Sequence, residues 1–321
     1  MKVLIYCSIF FTLFAACSVQ KSVPLSANLK DQIAMLPQDA LVLGYVNVHQ
    51  ILSSPVYQLL YDETNADIFA NKSYKEFVEK TGFDLRQHMR EMLFAGKPTV
   101  VDDSEGMFVA LGEFEVQKIS DFIKNKDWEK QLKQTSYDNF ILMNTDDDFT
   151  MCFADSHHFV AGTRQLVYNW LDAFSGKTDP SEVDVQILRR IEKLPDRESM
   201  WAIMDAGTLM ETAEEEGIGI AKGLKNIQSA DIAFTMDESF EAFGRINCSD
   251  KEKAELVHDA LRGFLSSAKL TVSDDREVVD VLNKIGVDAN DSVVTTTVKL
   301  NQEELKKLLR KRKILQQIEA V

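Results

Sequence analysis

Phe140–Phe153 reads FILMNTDDDFTMCF, and Ile232–Ile246 reads IAFTMDESFEAFGRI. Each stretch holds two short runs rich in aromatic and β-branched residues, parted by an acidic turn. The turn is Asp146-Asp147-Asp148 in the first and Asp237-Glu238 in the second. That is the pattern of a β-hairpin. Hairpins join antiparallel neighbours, whereas parallel strands need a long crossover, so these two stretches argue against a doubly wound parallel sheet.

Working outward, the chain repeats one phrase, a β-rich run followed by an amphipathic helix. Ala40 to Val48 (ALVLGYVNV) reads as a buried strand, with a helix around Ile51 to Tyr61. Met107 to Phe114 leads into a helix carrying Val116, Ile119, Phe122 and Ile123 on one face. Phe159 to Thr163 leads into Val167, Trp170, Leu171 and Phe174, at the i, i+3, i+4, i+7 spacing of a helix stripe. Ser175-Gly176-Lys177-Thr178-Asp179-Pro180 breaks the pattern and marks a boundary. Beyond it Ser181 is expected to cap a helix carrying Val183, Ile187, Ile191 and Leu194, and a strand spans Met200 to Met204. Ser249 and Glu252 have the spacing of a capping box for a long helix with Val257, Ala260, Leu261, Phe264, Leu265 and Ala268 in its stripe.

Two echoes connect the parts. Leu36-Pro37 before a strand and helix is matched by Leu194-Pro195, and Thr81-Gly82-Phe83-Asp84 by Ile285-Gly286-Val287-Asp288. The expected fold class is α+β: two related halves, each a mainly antiparallel sheet with amphipathic helices packed on one face. The expected segments are a signal peptide (1–16), a lipidated tether (17–30), a first half (31–178), a second half (179–300) and a basic C-terminal helix (301–321).

The 321 residues are 45% hydrophobic and 27% charged, ordinary for a globular chain and too apolar for a disordered one. A net charge of −15 excludes a nucleic-acid binder working through a basic surface. Familiar catalytic motifs fail on spacing or context. Gly176-Lys177-Thr178 lacks the glycine five residues earlier, where Leu171 stands, so it is no phosphate loop. Gly217-Ile218-Gly219 has Lys222 where a dinucleotide fingerprint needs its third glycine. Ser266-Ser267-Ala268-Lys269 has the Ser-x-x-Lys spacing of penicillin-binding enzymes, but it ends a helix and lacks the companion motifs. His157-His158 with Asp155 and Cys152 could be imagined on a metal; adjacent strand residues point to opposite faces, so turn histidines are the simpler reading. The acidic clusters lack the spacing of a calcium loop. No cofactor, metal site or catalytic residue is assigned.

The first seventeen residues carry an address. Val3 to Ala16 is apolar apart from Ser8 and Thr12, too short to span a bilayer, and suited to the hydrophobic region of a secretory signal. It ends Leu13-Phe14-Ala15-Ala16-Cys17 and turns polar at Ser18. This resembles the lipobox of bacterial lipoproteins, with Phe14 where that family usually has Leu. The resemblance implies diacylglycerol on the Cys17 sulfur, cleavage before it and acylation of the new amino terminus. It also implies a bacterial cell-envelope location, lipid-anchored, at the outer membrane and facing the periplasm. Leu36-Pro37-Gln38-Asp39-Ala40 entering an apolar strand is similar to the opening of bacterial envelope proteins of unknown function, which brings no active residues. Cys7 leaves with the signal, so Cys152 and Cys248 remain in the folded body, either bonded or as two buried thiols.

The far end is different. From Lys299 on, seven cationic residues oppose three glutamates, while residues 17–298 carry −20. Lys306, Lys307, Arg310, Lys311, Arg312 and Lys313 are candidate membrane or partner contacts, on a helix that either lies on anionic headgroups or docks on the body. Anionic lipid would repel the acidic body and attract this end. The expected role is non-catalytic: an envelope lipoprotein that binds another envelope protein or an apolar ligand. The alternatives are a carrier or chaperone for an apolar ligand such as lipid, whose site the 19 phenylalanines and 11 methionines would suit, and an unrecognised envelope hydrolase.

Overall fold

The computed structural model describes residues 24–64, 69, 71–97, 105–124, 132–145, 148–195, 197–208 and 226–309. The signal peptide, Cys17, and the cations Arg310, Lys311, Arg312 and Lys313 lie outside the described residues.

Among the described residues, twelve strands form one antiparallel sheet. The strands of the first half are β1 (Val42–Val46), β2 (Met89–Lys97), β3 (Glu105–Gly112), β4 (Lys133–Tyr137), β5 (Phe140–Asn144), β6 (Phe149–Phe153) and β7 (His158–Thr163). Those of the second are β8 (Met200–Asp205), β9 (Ile227–Met236), β10 (Ser239–Cys248), β11 (Gly286–Asn290) and β12 (Val293–Asn301). The sheet runs β11-β12-β10-β9-β8-β1-β2-β3-β7-β6-β5-β4. Both hairpins expected from the sequence are present, as β5–β6 and β9–β10.

The halves meet where β1 pairs β8, with Gly44 opposite Ala202 at the midpoint of the register. Outward from that seam the order is β1-β2-β3-β7-β6 on one side and β8-β9-β10-β12-β11 on the other. In each half the third strand is followed by a helix; the chain then enters the sheet at its outer edge, on β4 or β11, and works back to a strand, β7 or β12, that pairs with the third. The helix is α6 (Val116–Lys124) after β3 and α9 (Lys251–Thr271) after β10. This shared order is far clearer than the sequence echoes.

The remaining helices are α1 (Ala27–Ala34), α2 (Val48–Ser53), α3 (Pro55–Thr64), α4 (Lys72–Thr81), α5 (Leu85–His88), α7 (Arg164–Phe174), α8 (Val185–Glu192) and α10 (Arg276–Leu282). They cover both faces of the sheet rather than one, because several strands are apolar on both sides. In β3, Met107 and Val109 join the main core while Ala110 points to the other face. Alternation along a strand makes that division automatic. The main core packs α1, α7 and α8 on one face through Ile33, Val167, Trp170, Leu171 and Ile191. On the same face Asp231 of β9, fully buried, is held by Arg190 at 2.5 Å and Arg245 at 2.6 Å. These two guanidiniums compensate a carboxylate that would otherwise be costly to desolvate.

Several local expectations need correction. The helix expected over Ile51–Tyr61 is two, α2 and α3, parted at Ser54-Pro55, since Pro55 cannot continue a helix from Ser54. The cap of α8 is Asp184, which accepts from the Gln186 N–H, not Ser181. The cap of α9 is Asp250, which accepts from the Lys253 N–H, not Ser249; the Ser249 hydroxyl donates to Asp250 instead. In both, a carboxylate nearer the helix, three positions on from Ser181 and one on from Ser249, takes the free N–H groups in place of the hydroxyl. Ordered packing also begins inside the expected tether: Leu25 is buried in the main core, and Ser26 caps α1.

Candidate functional site

The site is built on the other face, where α4 and α6 cross the outer part of the first half. Asn71 caps α4, and the helix ends at Gly82 with φ 75°, a left-handed exit that a side chain would strain. The chain then turns through Phe83 and Asp84. The Asp84 carboxylate accepts from the Arg86 backbone N–H at 2.9 Å, from the Arg86 guanidinium at 2.7 and 3.1 Å, and from the Tyr74 hydroxyl at 3.0 Å. The Leu85 N–H donates to Tyr74 at 2.9 Å. This elbow fixes α4 to α5. The Arg86 guanidinium holds the Asp84 carboxyl down at about 2. Burial, with Asp84 beside it, pushes the Tyr74 hydroxyl up to about 12.

Inward of the elbow the side chains are aromatic. Phe83 stacks on Phe114 at 5.3 Å between ring centres, and Phe77 meets Phe122 edge-on at 5.3 Å. Phe114 lies 5.4 Å from Phe153, which lies 4.8 Å from Phe159. Offset and edge-on pairs of rigid rings are favourable, yet they leave space between them. Here that space is a chamber of about 570 Å³, completed by Met89, Met151, Ile119 and Ile123, with Ser73 and Tyr74 the only polar residues among the described residues that line it. The volume lies in the range of small-molecule sites, which are mostly apolar with a few polar groups.

A second chamber of about 490 Å³ adjoins it on the other side of α6, and the two share Ile123 and Phe153. Phe140, Ile141 and Met143 line it from β5, and its polar residues include Ser120, Lys124, Gln134 and Asn139. In the second half the counterpart α9 sits directly on its strands. Ala254, Val257 and Leu261 pack on Ile246, Cys248, Val287 and Val294. Small and β-branched residues thus close over the strands where rings hold α6 away from the sheet in the first half.

The residues singled out from the sequence lie elsewhere. Lys306 and Lys307 sit on the helical stretch 302–309, which starts with a reciprocal cap: Glu304 N–H to Asn301 Oδ1, and Asn301 N–H to Glu304, both 3.0 Å. Leu305 and Leu308 bury this stretch against Val56 of α3 and Met236 of β9, so its first turns dock on the body. Cys152 and Cys248 are free and buried, and burial pushes the Cys152 thiol up to about 12. Asp155 accepts from the His157 and His158 N–H groups at 2.6 and 2.7 Å, organising the turn before β7. Gly176 is a left-handed residue just beyond α7, and Lys177 is held by Asp138 and Asp172, a structural use of that glycine-lysine pair. The Ser266 hydroxyl donates to the Arg262 carbonyl within α9.

Fold and site together define an α+β protein with one twelve-stranded antiparallel sheet and a two-chambered apolar pocket under one helix. No protein-family model matches the chain, and no curated protein matches it. Among solved structures it is similar to crystal form III of TP0453. The TM-score is 0.51 at 8% identity, covering 87% of this chain and 97% of that one. Crystal form I of TP0453 gives a TM-score of 0.45 at 9% identity, covering 91% and 98%. At such identity the likeness to form III is one of fold alone. No described helix is long and apolar enough to cross a membrane.

Proposed function

We propose that the protein is a lipid-anchored protein of the bacterial envelope that binds an apolar ligand in the chamber beneath α6, without catalysing a reaction on it. The observation that carries this reading is the lining: six phenylalanines, two methionines and two isoleucines around about 570 Å³. An apolar ligand gains about 0.8 kcal/mol for each methylene it buries, and nothing in that lining is arranged to attack a bound molecule. The anchor is the acylated Cys17, and the location is the outer membrane facing the periplasm. Leu25 being buried, seven residues separate Cys17 from the packed body, a reach of about 24 Å at most, which keeps the body close to the lipid surface that would supply its ligand.

Native mass spectrometry of the protein released from envelopes tests the binding. The expected result is a co-purifying apolar mass that is reduced in Met151→Trp, which narrows the chamber; only ligand-free protein from both would overturn it. Radiolabelled palmitate tests the anchor. It should enter the wild type and not Cys17→Ser, and equal labelling would refute the anchor.

A further inference from the structure

The two chambers differ in chemistry while sharing a wall. The first is apolar almost throughout; the second is apolar along β5 but carries Ser120, Lys124, Gln134 and Asn139. Lys124 is the single charged residue among the described residues that line either chamber, and no carboxylate is among them. In a chain with 51 acidic residues against 36 basic ones, a described lining that holds one cation and no acid, with the nearby Asp121 carboxylate accepting from Gln117, favours a negative ligand. The two chambers adjoin at Ile123 of α6 and Phe153 of β6, which belong to both, so a ligand that spans them lies against these two side chains.

We infer that the ligand is an amphiphile with one acyl chain and an anionic headgroup, the chain in the aromatic chamber and the headgroup beside Lys124 in the second. This deepens the proposed apolar-ligand reading and rests on it. The amide groups of Gln134 and Asn139 and the Ser120 hydroxyl can donate to headgroup oxygens, and the Lys124 ammonium supplies the charge. Because Lys124 is exposed, the charge adds only a modest preference, about fivefold, and that preference weakens as salt rises. Free fatty acids and lysophospholipids share this chemistry.

The test uses the full mature chain and three probes of equal chain length: hexadecanol, palmitate and palmitoyl lysophosphatidate. The expected result is that both anions bind about fivefold more tightly than hexadecanol at low salt. Lys124→Met, which keeps the apolar stem, should bring the three affinities together without changing that of hexadecanol. The tighter of the two anions then identifies the headgroup as carboxylate or phosphate. Equal affinities in the wild type, or a preference that survives Lys124→Met, overturn the headgroup assignment while hexadecanol binding keeps the apolar chamber. Absence of binding by all three overturns the chamber reading and this inference with it.

Discussion

Asp84→Asn probes the elbow that sets α4 over the chamber. The native carboxyl is held at about 2 against an ordinary 3.8, principally by the Arg86 guanidinium and despite its burial. A folded-state value below the unfolded one contributes stability that is fully present above 3.8 and is lost as pH falls toward 2. The shift corresponds to about 2 kcal/mol, an upper value because the Arg86 side chain is half-exposed to solvent. Asparagine keeps an oxygen for the Arg86 N–H and the Tyr74 hydroxyl but forfeits the charge. Urea unfolding at pH 7 should therefore place the variant about 1 to 2 kcal/mol below the wild type, a midpoint shift of about 0.3 to 0.7 M at an m-value of roughly 3 kcal/mol/M. At pH 2.5 the gap should shrink below about 1 kcal/mol, because the wild-type carboxyl is by then losing its charge in both states. Comparing the two proteins at each pH cancels the titration of every other carboxylate. An equal gap at pH 7 and pH 2.5 would refute the assignment of this stability to the ionic pair.

Other consequences are accessible to simple assays. Asp231→Ala leaves Arg190 and Arg245 without their shared carboxylate and should destabilise the fold by about 3 kcal/mol in thermal or urea unfolding; a change under about 0.5 kcal/mol would show that solvent satisfies both arginines. Neither Cys152 nor Cys248 should react with a thiol-specific chromogenic reagent until the protein unfolds, since both are buried and burial pushes both thiols up; rapid labelling of native protein would contradict the burial. Met151→Trp should weaken binding of a fluorescent acyl probe while keeping the unfolding free energy within about 1.5 kcal/mol of wild type, because the added ring occupies existing space. Unchanged affinity would move the ligand to another surface.

Much of the sheet was legible because its signals are local. The runs around Asp146–Asp148 and Asp237-Glu238 carry strand and turn chemistry within fifteen residues, and the stripe Val116, Ile119 and Ile123 shows its buried side by spacing alone. Cap identity was less legible, since Ser181 and Asp184, or Ser249 and Asp250, compete for the same N–H groups and only the backbone path decides. Leu25 gave no sign of burial because it stands alone in a polar stretch and its partners come from the distant core. The chamber was legible only as composition. Its rings come from α4, the elbow, the end of β3, α6, β6 and β7, spread from Phe77 to Phe159, so no window of sequence contains them. The phenylalanine-rich usage was a usable signal, but a closed core and an open chamber use the same residues. What separates them is that rings hold α6 off the sheet where Ala254 and Val257 let α9 lie down on it.

The central claim, an acyl chain held under α6, is tested most directly by methionine-methyl NMR of the mature chain titrated with palmitate. Met89 and Met151 line the aromatic chamber and Met143 the second, whereas Met107 and Met236 lie in other core clusters. The account expects saturable shifts at Met89, Met151 and Met143, with Met107 and Met236 unmoved. Shifts confined to Met107 or Met236, or none at any methyl at saturating palmitate, would contradict it.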